Sequence, residues 1–162
     1  MIKRIKLKLI IIEIITLFFL ISGIKRIQIA TQSDVYEAVF SGNSIEPFTD
    51  LTMGEFLTYQ LLWPFGIFVA GVIIIGLMNW RYKTSVLNTV IVFIIVFSLF
   101  PLGIMHRGFI QRLFNSLGSI FSDNTGTAFY TSGIILTIIA LVFMWVCVTL
   151  NKKNRAQFVN YN

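Results

Sequence analysis

The chain has 162 residues, of which 56% are hydrophobic and only 12% charged, and its formal net charge is +6. Soluble domains carry about 25% charged residues, so a water-facing globule of this length is excluded and a membrane protein is the reading that composition leaves. One cysteine, Cys147, excludes an intramolecular disulfide and a thiolate metal cluster, and one histidine, His106, excludes a histidine-rich site.

The first apolar run covers 7–26 and follows Lys3, Arg4, Lys6 and Lys8. A basic start and an apolar core fit a signal peptide. The residues around "LISG" do not supply the pair of small side chains that cleavage needs, so an uncleaved anchor is expected. Inside the run stands Glu13. It lies about 7 Å along the axis from Lys8, at 1.5 Å per residue, in the cytoplasmic leaflet. An ionised group costs about 2.5–3.5 kcal/mol at the bilayer centre and less towards the interface. Thr16 shares its face one turn on. Three roles are open to Glu13: a structural tie to Arg81 or Asn88 at similar depth, a proton- or cation-coupled site, or a contact with a partner subunit.

An outer segment, 27–58, comes next. In "SDVYEAVFSG", Ser33 or Asp34 suits an N-cap, Val35, Tyr36, Val39 and Phe40 share a helical face, and Gly42 suits a C-cap. "TMGE", Thr52 to Glu55, fits a capping box, so the second span is expected to start there. Its apolar run is 59–79, with Pro64 placed to bend it. Gly66 and Ala70 make a small-xxx-small step that allows close helix approach, within the chain or between copies.

The short turn "NWRYKTS" predicts a tight hairpin into a third run, 86–105. Pro101 and Gly103 are expected to end that helix, with His106 and Arg107 at the outer face. This pair is either a solvated helix end or an outer polar site working with Asp50 or Glu55. The second outer segment, 106–131, contains "RGFIQRLFNSLGSIFSD". There Phe109, Ile110, Leu113, Phe114, Leu117, Ile120 and Phe121 recur at helical spacing, while Arg107, Gln111, Arg112, Asn115, Ser116 and Ser119 take the other side. The pattern is an amphipathic helix of three to four turns, too short to span. It is expected either to lie in the headgroup plane or to pack on the first outer segment, or its apolar face docks a partner or lipophilic ligand. The fourth run is 132–150.

Orientation follows from the basic residues. Lys3, Arg4, Lys6, Lys8, Arg81, Lys83, Lys152, Lys153 and Arg155 make nine on one side, against four, Lys25, Arg26, Arg107 and Arg112, on the other. The excess puts both termini in the cytoplasm. The basic balance therefore belongs to membrane orientation, and no nucleic-acid partner is expected.

No Walker, nucleophile-elbow, zincin or C-x-x-C motif occurs. No enzyme activity and no cofactor or metal are expected. The fold class read from the sequence is an all-α membrane protein: one integral domain, an antiparallel four-transmembrane-helix bundle with a small helical extracytoplasmic cap. Abundant Ile, Phe, Lys and Asn suggest a bacterial host and its cell (inner) membrane. The leading functional expectation is an accessory subunit of a membrane complex or an immunity-type protector, in contact with the lipid bilayer and with a membrane-protein partner or a second copy. The rival is an oligomeric small transporter or channel subunit with Glu13 in its pathway. A lipid-modifying enzyme using His106 with outer carboxylates is a third expectation.

Overall fold

The computed structural model describes residues 5–99 and 108–159, with side chains except at Phe40 and 154–159. Among these residues the regular structure is entirely helical, in the order α1 (Leu7–Thr31), α2 (Ser33–Phe40), α3 (Met53–Arg81), α4 (Val86–Leu99), α5 (Gly108–Ser119) and α6 (Thr125–Val159). Three helices are long and apolar enough to cross a membrane: α1, α3 and the Thr125–Lys153 part of α6. Helices suit that setting because each satisfies its own backbone polar groups without water. The expected third run, 86–105, is described only as α4, whose 14 residues reach about 21 Å at 1.5 Å per residue, short of the roughly 30 Å hydrocarbon core. Its remaining residues lie outside the described set, and so do Pro101, Gly103, His106 and Arg107.

The expected first span ended at residue 26, with a loop beyond. Instead α1 continues to Thr31, and Lys25 and Arg26 are helical. Local chemistry explains several other boundaries. The capping box is present as read from "TMGE". Thr52 N donates to Glu55 Oε2 at 2.9 Å, and Glu55 N donates to Thr52 Oγ1 at 3.3 Å. Helix α3 therefore starts at Met53 and runs through Pro64 without ending. Gly42 follows α2 at φ +70°, the left-handed conformation that glycine adopts at least cost. Ser33 and Asp34 are not caps. They lie in the first turn of α2, where an acid suits the positive end of the helix dipole, and Gln32 precedes them without a side-chain cap.

The α3–α4 turn closes α3 with two backbone bonds, Thr84 N to Asn79 O at 2.8 Å and Lys83 N to Trp80 O at 3.0 Å. This is a Schellman arrangement, and its left-handed position is filled by Lys83 at φ 56°. A left-handed residue other than glycine costs roughly 1–2 kcal/mol. Lys83→Gly is therefore expected to stabilise the fold by about 1 kcal/mol, read as a raised unfolding midpoint in detergent. A lowered midpoint would contradict this account of the turn.

Helix α1 is the axis of the packing. From Ile12 to Ala30 none of its residues is exposed, whereas α3, α4 and α6 each show long apolar faces to the outside. Each of those helices offers α1 one stripe. On α3 the stripe is Pro64, Phe68, Gly71, Ile75 and Asn79, and on α4 it is Asn88, Val92 and Val96. The core joins Ile10, Leu17 and Ile21 to Phe68, Ile75, Val92 and Val96. The α6 stripe is rich in small residues: Ala128, Ser132, Gly133, Ala140 and Cys147.

Close approach follows from those small residues. A Cβ added at Gly23 would sit 2.8 Å from Thr137 N and 2.9 Å from Gly133 O, and one added at Gly133 would sit 2.8 Å from Gly23 O. The backbones of α1 and α6 therefore touch at this crossing. The step noted in the sequence, Gly66 and Ala70, does not serve this purpose. Both residues are exposed, and nothing lies within 4 Å of a Cβ at Gly66.

A second, smaller core forms where α2 packs on the start of α3, joining Val35, Ala38, Ile45 and Phe56. Tyr36 sets its ring edge-on to Phe56 at 5.4 Å. Its hydroxyl donates to Gln60, whose amide donates to Gln32 Oε1 at 3.0 Å. Burial pushes the Tyr36 hydroxyl up to about 12, because the phenolate would lose its hydration there.

Candidate functional site

The helix that forms the axis also carries the two charged side chains that are buried among the described residues. Glu13 is 0% exposed and Arg26 is 3% exposed. Thirteen positions separate them, about 20 Å along a helix, so they cannot pair with each other.

Polar side chains from α1, α3, α4 and α6 gather around the Glu13 end. Asn79 Nδ2 donates to Thr89 Oγ1 at 3.0 Å, and Asn151 Nδ2 donates to Asn79 Oδ1 at 3.3 Å. Thr84 Oγ1 donates to Asn151 Oδ1 at 2.5 Å, and Lys6 N donates to Asn88 Oδ1 at 3.3 Å. The network thus ties α3, α4 and α6 together and holds the start of α1 against α4. Thr16 gives its hydroxyl proton to Ile12 O at 2.7 Å and lies 3.9 Å from Cys147 Sγ.

Glu13 is central to this network without being bonded into it. Neither carboxyl oxygen has a hydrogen-bond partner among the described residues, and Asn88 Nδ2 also has none. The Asn79 amide acts on the carboxyl from α3, and the carboxyl acts on the Cys147 thiol of α6. Of the residues expected to gather here, Thr16 and Asn88 do. Arg81 does not: it is exposed at the end of α3, where a guanidinium keeps its hydration. The interior partner on that helix is Asn79, two residues earlier and on the buried stripe. Asn151 was not expected from the sequence, because an asparagine near a basic tail looks like a solvated helix end.

At the other end Arg26 is fully engaged by neutral groups. Its Nε donates to Ser132 Oγ at 2.7 Å, Nη1 to Gln111 Oε1 at 3.2 Å, and Nη2 to Asn115 Oδ1 at 2.6 Å. The guanidinium also stands over the Phe129 ring at 4.1 Å from its centroid, a cation–π geometry. A rigid planar fork with several donors can clamp three helices in this way, which the single ammonium of lysine cannot. Two residues beyond Arg26, the amide of Gln28 is buried with no hydrogen-bond partner among the described residues.

The clamp decides how α5 sits. Phe114 is 4% exposed and packs beside Phe18 and Phe19, at 6.1 and 6.3 Å between ring centroids. Gly118 lies so close to the Ala128 backbone that a side chain there would collide with it. Helix α5 therefore lies on α6 and α1. Its apolar face is divided. Phe114 packs, Ile110 and Leu117 are half-buried, and Phe109 and Leu113 stay exposed, as do Ile120 and Phe121 in the turn just past the helix, Phe109 at 76% and Phe121 at 65%. The sequence showed the helix and both its faces, but not that polar Gln111 and Asn115 would face a buried cation. No family model, curated protein or solved structure matches this chain.

Proposed function

We propose that the chain is a multi-pass protein of a bacterial cell membrane that works as an interaction subunit of a larger membrane complex or as an immunity-type protector. In this reading α1, α3, α6 and the run that begins with α4 form an antiparallel bundle, both termini are cytoplasmic, and α2 with α5 forms an extracytoplasmic cap. The excess of Lys and Arg at one end supports that orientation. The observation that carries the interaction reading is the exposed flank of α5. Arg26 and Phe114 hold this helix firmly in place, yet Phe109 and Leu113 on it, with Ile120 and Phe121 in the turn that follows, make no core. Exposed aromatic and aliphatic side chains on a fixed helix are what a partner surface requires.

A photo-crosslinking residue at Leu113, followed by extraction in mild detergent and mass spectrometry, is expected to trap one protein in defined stoichiometry. Leu113→Gln combined with Phe121→Ser is expected to abolish that product while leaving thermal stability within about 0.5 kcal/mol per site, since both side chains are exposed. Adducts to lipid alone would sink the interaction reading.

A second reading, an oligomeric transporter or channel subunit, is favoured by the buried, unbonded carboxyl of Glu13. Its test is flux in proteoliposomes. Unchanged flux in Glu13→Gln would remove Glu13 from any pathway.

A further inference from the structure

We propose that Glu13 is a binding site for one monovalent cation, a proton or an alkali ion. The inference rests on neither functional reading, because it concerns occupancy and not flux or a partner.

The argument begins with an imbalance. A buried carboxylate is tolerated when donors or a fixed cation offset its lost hydration, and unpaired it costs several kcal/mol. Glu13 is 0% exposed, and neither of its oxygens accepts a hydrogen bond among the described residues. Among the described residues at this end, Lys8, Arg81, Lys83, Lys152 and Lys153 are exposed, where their charged groups keep their hydration. The described groups that act on or face the carboxyl are neutral: Asn79 from α3, and the Cys147 thiol from α6 beside Thr16.

The site's charge then selects its ligand. The one carboxylate supplies a single negative charge, and no group of three or more acidic, His or Cys side chains occurs among the described residues. A divalent ion would remain undercompensated there, because such ions take several anionic or strongly polar oxygen ligands. A monovalent charge neutralises the carboxylate in full. One lone pair of Thr16 Oγ1 remains available, since its proton goes to Ile12 O and the Cys147 thiol lies 3.9 Å from the oxygen.

The test is labelling of the full-length protein in detergent with dicyclohexylcarbodiimide, which modifies protonated carboxyls in apolar surroundings, read by mass spectrometry of the Glu13 peptide. If the ligand is a proton, labelling is lost as pH rises and is indifferent to sodium. If it is an alkali ion, sodium at fixed pH and ionic strength protects Glu13, with about a tenfold fall in labelling when its concentration is ten times the dissociation constant. Choline should not protect. Absence of labelling at every pH, with no sodium dependence of the unfolding midpoint, would overturn the proposal. Infrared difference spectra between the native protein and Glu13→Gln give an independent reading. A carboxyl C=O band that belongs to Glu13 and responds to pH or sodium supports the site, and an ionised, unresponsive Glu13 refutes it.

Discussion

Replacing Gly23 with leucine is expected to lower the stability of the protein by about 3 kcal/mol, at the upper end for overpacking substitutions. At this crossing the obstacles are backbone atoms, Thr137 N and Gly133 O, which cannot rotate out of the way as a side chain would. The helices must move apart, and the contacts along the α1–α6 seam weaken together. Gly133→Leu should act alike, since the approach is mutual, and the double variant should cost less than the sum because either leucine alone opens the same gap. Gly66→Leu is the control: with open space around it, the change should be neutral within about 0.5 kcal/mol. Equilibrium unfolding in mixed micelles distinguishes the cases. Equal costs at Gly23 and Gly66 would show that the seam is not where α1 and α6 meet.

Arg26→Ala is expected to release α5 before anything else unfolds. The substitution leaves Gln111, Asn115 and Ser132 without their donor, removes the cation from above Phe129 and opens a cavity between three helices. Hydrogen bonds to a charged group are worth about 1.5–3 kcal/mol. Asn115 is exposed and can return to water, so the net loss should be about 3 kcal/mol rather than the sum of three bonds. Hydrogen exchange should show the loss first in α5 amides, with the α1–α6 seam still protected. Arg26→Lys keeps the charge but not the fork, and should fall between the alanine variant and the native protein. If α5 kept its protection in Arg26→Ala, the clamp would be incidental and Phe114 would be what holds the helix.

Much of this architecture was legible along the chain because hydrophobic length and capping chemistry are local. Glu55 lies three residues after Thr52, within one turn, so the capping box could be read and was found. The amphipathic period of α5 was likewise visible, and so was Gly42 as the end of α2. Partners distant in sequence were not legible. Gly23 and Gly133 are single glycines in separate apolar runs, and only their meeting gives either a purpose. Gly66 and Ala70 looked more informative because they are close in sequence, yet they face outward. Arg26 looked like an end-of-span residue, and its burial depends on α5 folding back to supply Gln111 and Asn115.

Glu13 marks the division. Composition and spacing alone determined that a carboxylate stands inside an apolar helix, near its basic end, in a protein with helices fit to cross a membrane. Only the tertiary structure decided that this helix is the axis of the packing, so that the carboxylate faces protein on every side. Side-chain period names a face of a helix, but what covers that face depends on contacts made across the chain. Here they bring Asn79 and Cys147 to Glu13 and leave Arg81 outside.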